Sequence, residues 1–224
     1  MTILRAKVNF KRLNPEEIME WTHIPTCIAG DCMNRQNIMA ERISSIKNDA
    51  PLCGQARTVS ITHGDNSAIH AALTLMEKGD VLVVEGGGFL DRAVWGELMN
   101  RSSISLGLGG VIIDGSVRDI SELRKMSLPV FAAGYTPAGP TKGGGGKIDT
   151  PISCGNVSVN PGDIVIGDDD GIAVIPLDIS DKILTKSKEK IIAENEIISK
   201  INNGLEHKEV FNVNKIPFIS EDID

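Results

Sequence analysis

An adjacent arginine and aspartate, Arg118 and Asp119, stand where a buried strand is expected to give way to a helix. The apolar run at residues 111–113 is typical of a strand that is covered on both faces. Polar groups beyond the carboxyl ends of parallel strands lie where open α/β sheets bind ligands. Arginine offers planar donors suited to a carboxylate, and aspartate is an oxygen ligand suited to Mg²⁺ or Mn²⁺. The local pattern also fits an ordinary helix cap with a surface ion pair, so both interpretations stay open.

A second segment, residues 85–99, also follows an apolar run and contains three consecutive glycines, Gly86 to Gly88. Glycine lets the backbone approach a ligand or a neighbouring chain, and the start of a helix offers N–H groups to an anion. The spacing is not the GxGxxG of dinucleotide-binding proteins. A glycine cluster is equally typical of turns, so this segment alone does not establish a binding site.

The scaffold for these segments follows from the alternation of predicted strands and helices with short connections. In the middle third, strands are expected at 55–62, 81–84, 111–114 and 129–132, and helices at 68–77, 91–101 and 119–126. This order indicates parallel strands joined by crossover helices, which is an α/β fold.

The outer thirds differ from this pattern. Before the α/β part, helices are expected over residues 14–48, with a start at Asn14-Pro15 and a less regular helical region over 26–46. After a Pro/Gly loop at 135–147, short strands are expected at 152–154, 157–159, 164–167 and 171–175, followed by a helix over 180–203. No linker separates two cores, so we predict a single domain over 1–224, with a core at about 15–205 and a tail at 205–224.

Composition excludes several classes of protein. The 224 residues carry a formal net charge of -7, and aromatic residues make up 4%. We therefore expect no nucleic-acid partner, because phosphate binding needs an excess of Lys and Arg. No apolar run is long enough for a membrane helix, and no signal peptide is evident, so no membrane association is expected. The four cysteines form no CxxC pair, which favours reduced thiols in a cytoplasmic protein.

Six motifs occur in the order that is found in one known family. They are Gly54 to Val59, Asp65-Asn66, Gly79 to Val84, Trp95 to Leu98, Gly110 to Asp119, and Val159 to Pro176. The chain resembles the family of 4-hydroxy-4-methyl-2-oxoglutarate aldolase and the regulator of ribonuclease activity A (the RraA-like family) over about residues 15–205. Its most specific strings are the Gly-Gly-x-x-x-Asp-Gly-x-x-Arg-Asp and Pro-Gly-Asp-x-Val-x-Gly-Asp patterns.

The resemblance implies a swivelling α/β/β/α sandwich of the RraA-like type with a C-terminal helix. It also implies a homo-oligomer, either a trimer or a hexamer, with the active site at the subunit interface. Aldolases of this family use a divalent metal, usually Mg²⁺ with Mn²⁺ as the alternative, and they also decarboxylate oxaloacetate. A small 2-oxo acid is the implied substrate.

Carried over by position, the resemblance assigns the metal-binding role to Asp119 and the enolate-stabilising role to Arg118. The family's second acidic residue falls on Glu97, where this chain has glutamate in place of aspartate. The extra methylene changes the reach of the carboxylate but keeps its charge.

Substrate binding and one further acid are also implied. Gly96 and the backbone N–H groups of Leu98 and Met99 would hold the pyruvyl carboxylate. An acid from the C-terminal helix of an adjacent subunit is carried over onto Glu194, with Glu196 as the near alternative.

The expected function is therefore a divalent-metal-dependent lyase that cleaves a 4-hydroxy-2-oxo di- or tricarboxylic acid to pyruvate. The alternative is a non-catalytic RraA-like regulator that binds a ribonuclease. The inhibitor members are shorter and lack the long C-terminal helix with an acid near Glu194, and this difference favours the enzyme.

Other reactive side chains are expected to play smaller parts. Lys142 and Lys147 lie in a glycine-rich loop rather than a buried strand, so a Schiff-base mechanism is disfavoured. His70 is expected to be structural, whereas His63 could line the cleft. The position of Asp31 relative to the cleft is left open.

Overall fold

A computed structural model describes residues 2–211 and residue 213, and this part of the chain contains eleven strands and seven α-helices. The strands are β1 (Ile3–Arg5), β2 (Ser44–Ser45), β3 (Leu52–Ile61), β4 (Val81–Trp95), β5 (Gly110–Val117), β6 (Val130–Tyr135), β7 (Gly146–Ile148), β8 (Ile152–Cys154), β9 (Val157–Val159), β10 (Ile164–Asp168) and β11 (Gly171–Ile175). The helices are α1 (Pro15–Trp21), α2 (Thr26–Cys32), α3 (Ser67–Leu73), α4 (Glu97–Leu106), α5 (Ile120–Leu123), α6 (Ser180–Asn202) and α7 (His207–Val210).

The centre of the fold is a parallel sheet in which β3, β4, β5 and β6 lie side by side. The full strand order is β1-β7-β3-β4-β5-β6-β2. The first half of β3 also pairs in antiparallel fashion with β10, which in turn pairs with β11. The predicted parallel α/β arrangement is thus confirmed. The carboxyl ends of β4 and β5 meet at one edge of this sheet.

Apolar residues alternate between the two faces of the parallel strands, and this alternation creates separate core layers. Leu82 and Val84 pack with α3, α4 and α5, whereas Val81 and Val83 pack with the β8–β9 hairpin. A third cluster joins α1, α2 and α6 to β10 and β11. The order of layers is therefore helices, sheet, smaller strands and helices.

The first helix begins where the sequence predicts it. The Asn14 side chain accepts hydrogen bonds from the N–H groups of Glu16 and Glu17, and the Glu17 carboxylate accepts one from the Asn14 N–H. This reciprocal capping box satisfies donors that would otherwise lack partners at the helix start. The long helix α6 is likewise confirmed, and it ends just before Gly204.

The prediction of a helical region over 26–46 is wrong beyond Cys32. Asn34, Arg35 and Asn37 adopt positive φ angles, which end α2. The chain then bonds to the sheet edge, with the Met39 N–H donating to the Ile172 carbonyl, and it continues as β2. Backbone pairing with strands that are distant in sequence overrides the local helical pattern here.

The glycine-rich segment was also predicted incorrectly, since residues 85–95 form the second half of β4 and the helix begins at Glu97 rather than at 91. β4 follows β5 through register shifts, and Phe89 pairs with Gly115. A Cβ atom at Gly86 would lie 2.5 Å from the Asp114 carbonyl oxygen. Glycine therefore permits the close approach of two strands. α3 and α5 are also shorter than predicted.

The predicted short strands of the third part are all present, and Asp168 pairs with Gly171 at the tight turn between β10 and β11. Within the described residues, no helix has both the length and the apolar character required to cross a membrane. Apart from residue 213, the predicted tail beyond residue 211 lies outside the described residues.

Candidate active site

A cavity of about 360 Å³ opens beyond the carboxyl ends of β4 and β5. Its walls come from four stretches of the chain: the start of α3, the end of β4 with the start of α4, the residues after β5, and the loop that follows β6. The lining residues are Asn66, His70, Ala93, Val94, Trp95, Gly96, Leu98, Met99, Arg118, Asp119, Gly139, Pro140 and Lys142. Both segments that the sequence selected therefore contribute to one cavity.

Arg118 and Asp119 stand at the point where β5 ends and α5 begins. The Arg118 N–H donates to the Trp95 carbonyl at 3.0 Å, which fixes the chain as it leaves the sheet. Asp119 takes a left-handed conformation, with φ at 62°, that aspartate tolerates better than most residues. Its Oδ2 lies 3.7 Å from the Arg118 Nε. This turn directs both side chains into the cavity.

The Asp119 carboxylate is held by only one of its oxygens. The Glu97 N–H donates to Oδ2 at 3.0 Å, and Oδ1 accepts no hydrogen bond from any described residue. The Arg118 guanidinium likewise donates no hydrogen bond within the described part of the chain. The pair is thus oriented by the backbone but keeps binding capacity on its open side.

Gly96 allows the two segments to meet. A Cβ atom at this position would lie 2.6 Å from Asp119 Oδ2 and 3.0 Å from Arg118 Cγ. Its backbone is fully extended, so close packing rather than an unusual φ angle requires glycine here. Any larger residue would displace the carboxylate.

The start of α4 presents backbone donors to the same space. Gly96 is the N-cap and has no side chain to cap the helix, and the Asp119 carboxylate accepts from the first N–H group, that of Glu97. Since the first N–H groups of a helix have no intrahelical partner, those of Leu98 and Met99 are available to an anion. The Leu98 side chain lines the cavity and is 79% exposed.

The two further acids lie away from the cavity walls. The Glu97 carboxylate accepts hydrogen bonds from Arg101, whose Nε and Nη2 both lie 2.8 Å from Oε1. Glu194 on α6 forms an ion pair with Lys190, which also contacts Asp31. Asp31 is therefore associated with α6 and not with this cavity. Glu97 and Glu194, or its alternative Glu196, stay predictions as acids of the site.

Three polar residues of the cavity were not assigned to it from the sequence. Asn66 is buried at the start of α3, and His70 follows one turn later. Lys142 reaches the cavity from the Pro/Gly loop, and its ammonium donates to the Asn66 Oδ1 at 2.5 Å. Partial burial lowers the pKa of His70, and the positive charge of Lys142 lowers it further. His63 instead stacks on Phe89 and does not line the cavity.

The donor set at Asp119 determines which metal could bind. The described residues contain no group of three or more His, Cys, Asp or Glu side chains that could hold an ion. One carboxylate with a free oxygen fits Mg²⁺, which keeps several water ligands and binds through one or two carboxylates plus substrate oxygens. It does not fit a zinc site that is enclosed by protein ligands.

The profile of the RraA-like family, described as Aldolase/RraA, matches residues 26–174. This chain belongs to the RraA-like family. The match begins at α2 and ends within β11, so it includes every residue that lines the cavity.

Individual relatives agree with this membership. A Halalkalibacterium halodurans protein named "Putative 4-hydroxy-4-methyl-2-oxoglutarate aldolase" is 35% identical over 173 residues, which cover 77% of this RraA-like chain and 82% of that protein. The RNA-processing inhibitor RraA from Thermus thermophilis has a similar structure, with a TM-score of 0.63 and 31% identity, and the match covers 68% of this chain and 92% of that one.

The fold itself extends beyond the matched family region. An uncharacterized protein from Pseudomonas syringae superposes with a TM-score of 0.78 at 22% identity, over 90% of this RraA-like chain and 99% of that chain. The predicted RraA-like fold with a C-terminal helix is therefore confirmed.

Proposed function

We propose that this chain is a divalent-metal-dependent lyase that cleaves a 4-hydroxy-2-oxo di- or tricarboxylic acid to pyruvate by retro-aldol chemistry. We include oxaloacetate decarboxylation as a second activity, a cytoplasmic location, and a trimeric or hexameric assembly with the site at the subunit interface. One observation carries the proposal: Arg118 and Asp119 face a cavity together with the unpaired N–H groups at the start of α4.

Substrate binding begins with the 2-oxo acid end. The N–H groups of Leu98 and Met99 would donate to the carboxylate, which the partial positive charge at the helix start also attracts. In this orientation the 2-oxo oxygen points towards the Arg118 guanidinium. Arg118 has donors to spare, because its side chain forms no hydrogen bond with the described residues and only the ion pair with Asp119.

Cleavage breaks the bond between C3 and C4. The C4 hydroxyl loses its proton and becomes a carbonyl, while the electron pair of the broken bond moves to C3 and the 2-oxo group. The resulting enolate carries the negative charge that Arg118 would stabilise with donors already in place. Protonation at C3 then gives pyruvate.

Asp119 would hold a Mg²⁺ or Mn²⁺ ion through its free Oδ1. When bound, such an ion supplies Lewis-acid stabilisation of the charge that develops on the substrate oxygens. Proton removal from the C4 hydroxyl falls to a water steered by Glu97 and by Glu194 of a neighbouring copy. Glu97 would have to leave Arg101 for this task.

Decarboxylation of oxaloacetate uses the same groups. Loss of CO₂ also breaks a bond between C3 and C4 and leaves the same enolate of pyruvate. An enzyme that stabilises this enolate therefore lowers the barrier of both reactions.

The test is the release of pyruvate from 4-hydroxy-4-methyl-2-oxoglutarate and from oxaloacetate with Mg²⁺ present. Asp119→Asn removes the charge but suits the left-handed backbone, and we expect it to lower kcat/KM at least about 100-fold. EDTA should produce the same loss in the unmodified chain, and added Mg²⁺ should reverse it. Activity that survives both treatments would exclude the metal role.

Binding to a ribonuclease is the second candidate function, and the 31% identity with the Thermus RNA-processing inhibitor favours it. That match covers 68% of this chain. The reactive pair and the open cavity support the enzyme instead. Absence of pyruvate release, together with micromolar binding to a purified ribonuclease, would reverse this order.

A further inference from the structure

The candidate site contains a second cation that the proposed cleavage does not use. Lys142 lines the cavity, and within the described part of the chain its ammonium forms no ion pair with a carboxylate. Its one side-chain hydrogen bond is to the neutral Asn66 amide. Lys142 is exposed, and its charge acts on the buried Asp65 without forming an ion pair, but its ammonium lies against the cavity wall that Asn66 forms.

The loop that carries Lys142 is fixed in position. The Thr141 N–H donates to the Gly64 carbonyl at 2.8 Å, and the Gly143 N–H donates to Ser67 Oγ at 2.9 Å. The Gly144 N–H donates to Asp65 Oδ2, also at 2.9 Å. These bonds lie on both sides of Lys142 and hold the base of its side chain.

The direction of the ammonium is also determined. Asn66 is 4% exposed, and its Nδ2 donates to the Val94 carbonyl at 3.2 Å, so its Oδ1 must face Lys142. A buried amide in a fixed orientation thus guides the ammonium along the cavity wall. An ammonium has three donors, and two of them stay available for a ligand.

Lys142 lies within reach of the far end of a short dicarboxylate whose 2-oxo group faces Arg118. A Cβ atom at Gly139 would lie 3.0 Å from Arg118 Nη1, so this end of the loop adjoins the guanidinium. Three residues further on, Lys142 can begin at most about 10 Å away. A five-carbon chain places its terminal carboxyl carbons about 5 Å apart, given bonds of about 1.5 Å. Side chains of ordinary reach can therefore place Arg118 at the 2-oxo oxygen and Lys142 at the far carboxylate of the same molecule.

The distribution of charge in the cavity also favours a ligand with a second carboxylate. Arg118 is offset by Asp119, and burial together with the Lys142 charge lowers the pKa of His70, which disfavours a positive charge on this imidazole. The carboxylate that interacts with the Lys142 charge is that of Asp65, which is buried outside the cavity lining and accepts from the Ser67 and Gly144 N–H groups, so Lys142 is the positive charge that faces the cavity. In a chain with a net charge of -7, such a site favours an anion locally.

We propose that Lys142 is a specificity residue that binds the carboxylate at the far end of a five-carbon 2-oxo dicarboxylate. The inference rests on the proposed function, because the pyruvyl end must occupy the start of α4 for the far end to reach Lys142. It predicts discrimination between substrates that differ only in that second carboxylate.

Calorimetry with two inert ligands tests the proposal directly. 2-Oxoglutarate and 2-oxopentanoate share chain length and 2-oxo acid end, but only the first has a second carboxylate. With Mg²⁺ present, we expect 2-oxoglutarate to bind about 10- to 100-fold more tightly, the range for a hydrogen-bonded charge. Lys142→Met should remove this preference and leave 2-oxopentanoate binding unchanged. Equal binding of both ligands, or a preference that survives Lys142→Met, would overturn the proposal.

Two variants control this measurement. Lys147→Met removes the same charge nearby from an exposed side chain outside the cavity, and it should keep the preference. Lys142→Arg keeps the charge and should retain part of the preference. If Lys147→Met also lost the preference for 2-oxoglutarate, the preference would come from net charge, and a specific contact between Lys142 and the far carboxylate would be contradicted.

Turnover separates this inference from the lyase proposal. 4-Hydroxy-2-oxoglutarate would give pyruvate and glyoxylate, and 4-hydroxy-2-oxopentanoate would give pyruvate and acetaldehyde. Lys142→Met should lower kcat/KM about 10- to 100-fold for the first and less than about 3-fold for the second. Equal losses would refute the role of Lys142 while leaving the lyase intact. No pyruvate from either substrate would refute the lyase, and the calorimetric preference would still decide the role of Lys142.

Discussion

Two arginine–aspartate pairs in this molecule have the same chemistry and opposite surroundings. Arg57 and Asp149 are joined by two hydrogen bonds of 2.8 Å, and their side chains are 6% and 0% exposed. Arg118 and Asp119 approach only to 3.7 Å, and their side chains are 43% and 39% exposed. The donors and acceptors of the first pair are used up by each other, whereas those of the second pair stay accessible to solvent or a ligand.

The buried pair is part of a larger network. Arg57 also donates to Asp80, which accepts from Arg12, and Arg5 lies 3.8 Å from Asp149. The network connects the N-terminal segment to β3 and to the residues after β7. Each buried charge has a partner, as low-dielectric surroundings require.

The difference shows how one residue pair can serve structure or binding. In the buried pair, the fork of donors is matched by acceptors of the protein itself. At Arg118 the backbone fixes the position of the side chain while the donors stay free. Because these donors stay free, the Arg118–Asp119 pair can bind a ligand and is expected to contribute little to stability.

The largest effect is expected from Arg57→Met. Removing the guanidinium leaves Asp149 and Asp80 buried without their main partner, and this should lower the free energy of unfolding by about 3–5 kcal/mol. Urea denaturation followed by circular dichroism measures the change. Arg118→Met is the matched control, and its cost should stay within about 0.5 kcal/mol because its pair is open to solvent. Equal costs for both variants would contradict the comparison.

The second effect concerns activity. Arg118→Lys keeps the charge but loses the planar fork, and we expect kcat/KM for pyruvate release to fall about 100-fold. The unfolding midpoint should hardly change. Arg124→Lys provides a control, since Arg124 is exposed and lies outside the cavity. A loss of stability as large as the loss of activity would show that Arg118 is structural.

The open pair could be located from the sequence because it follows a strong local signal. An apolar run followed by Asp-Gly-Ser and then Arg-Asp predicts a strand and then a helix start; β5 confirms the strand, although it continues to Val117, beyond the predicted end at residue 114. The capping box at Asn14 and the turns around β10 and β11 were also predictable, since short-range hydrogen bonds determine them.

The missed parts depend on distant contacts. Residues 85–95 form a strand because they pair with β5, and no periodicity within the segment reveals that pairing. Lys142 enters the cavity because residues 62–67 hold its loop, a constraint that is not evident in a Pro/Gly sequence. The closed network of Arg57 was invisible for the same reason, since its partners are 23 and 92 residues away.

The smallest effect involves another buried carboxylate, that of Asp65, which accepts hydrogen bonds from backbone N–H groups instead of pairing with an arginine. Burial raises its pKa, but the N–H groups of Gly144 and Ser67 outweigh this and lower the pKa overall. Because the pKa is lower in the folded chain than in the unfolded chain, the stabilisation is complete above the ordinary value of 3.8. It disappears as the pH falls through the folded value.

Asp65→Asn should therefore lower the free energy of unfolding by about 1–2 kcal/mol at pH 7, since the hydrogen bonds to a charged acceptor are lost. The difference between the two chains should shrink as the pH falls below about 4, where the unmodified chain loses the same charge. Urea denaturation of both chains between pH 3 and pH 7 measures this convergence. A difference that is independent of pH would mean that Asp65 acts through its shape alone. The loop that holds Lys142 would then be fixed without the Asp65 charge.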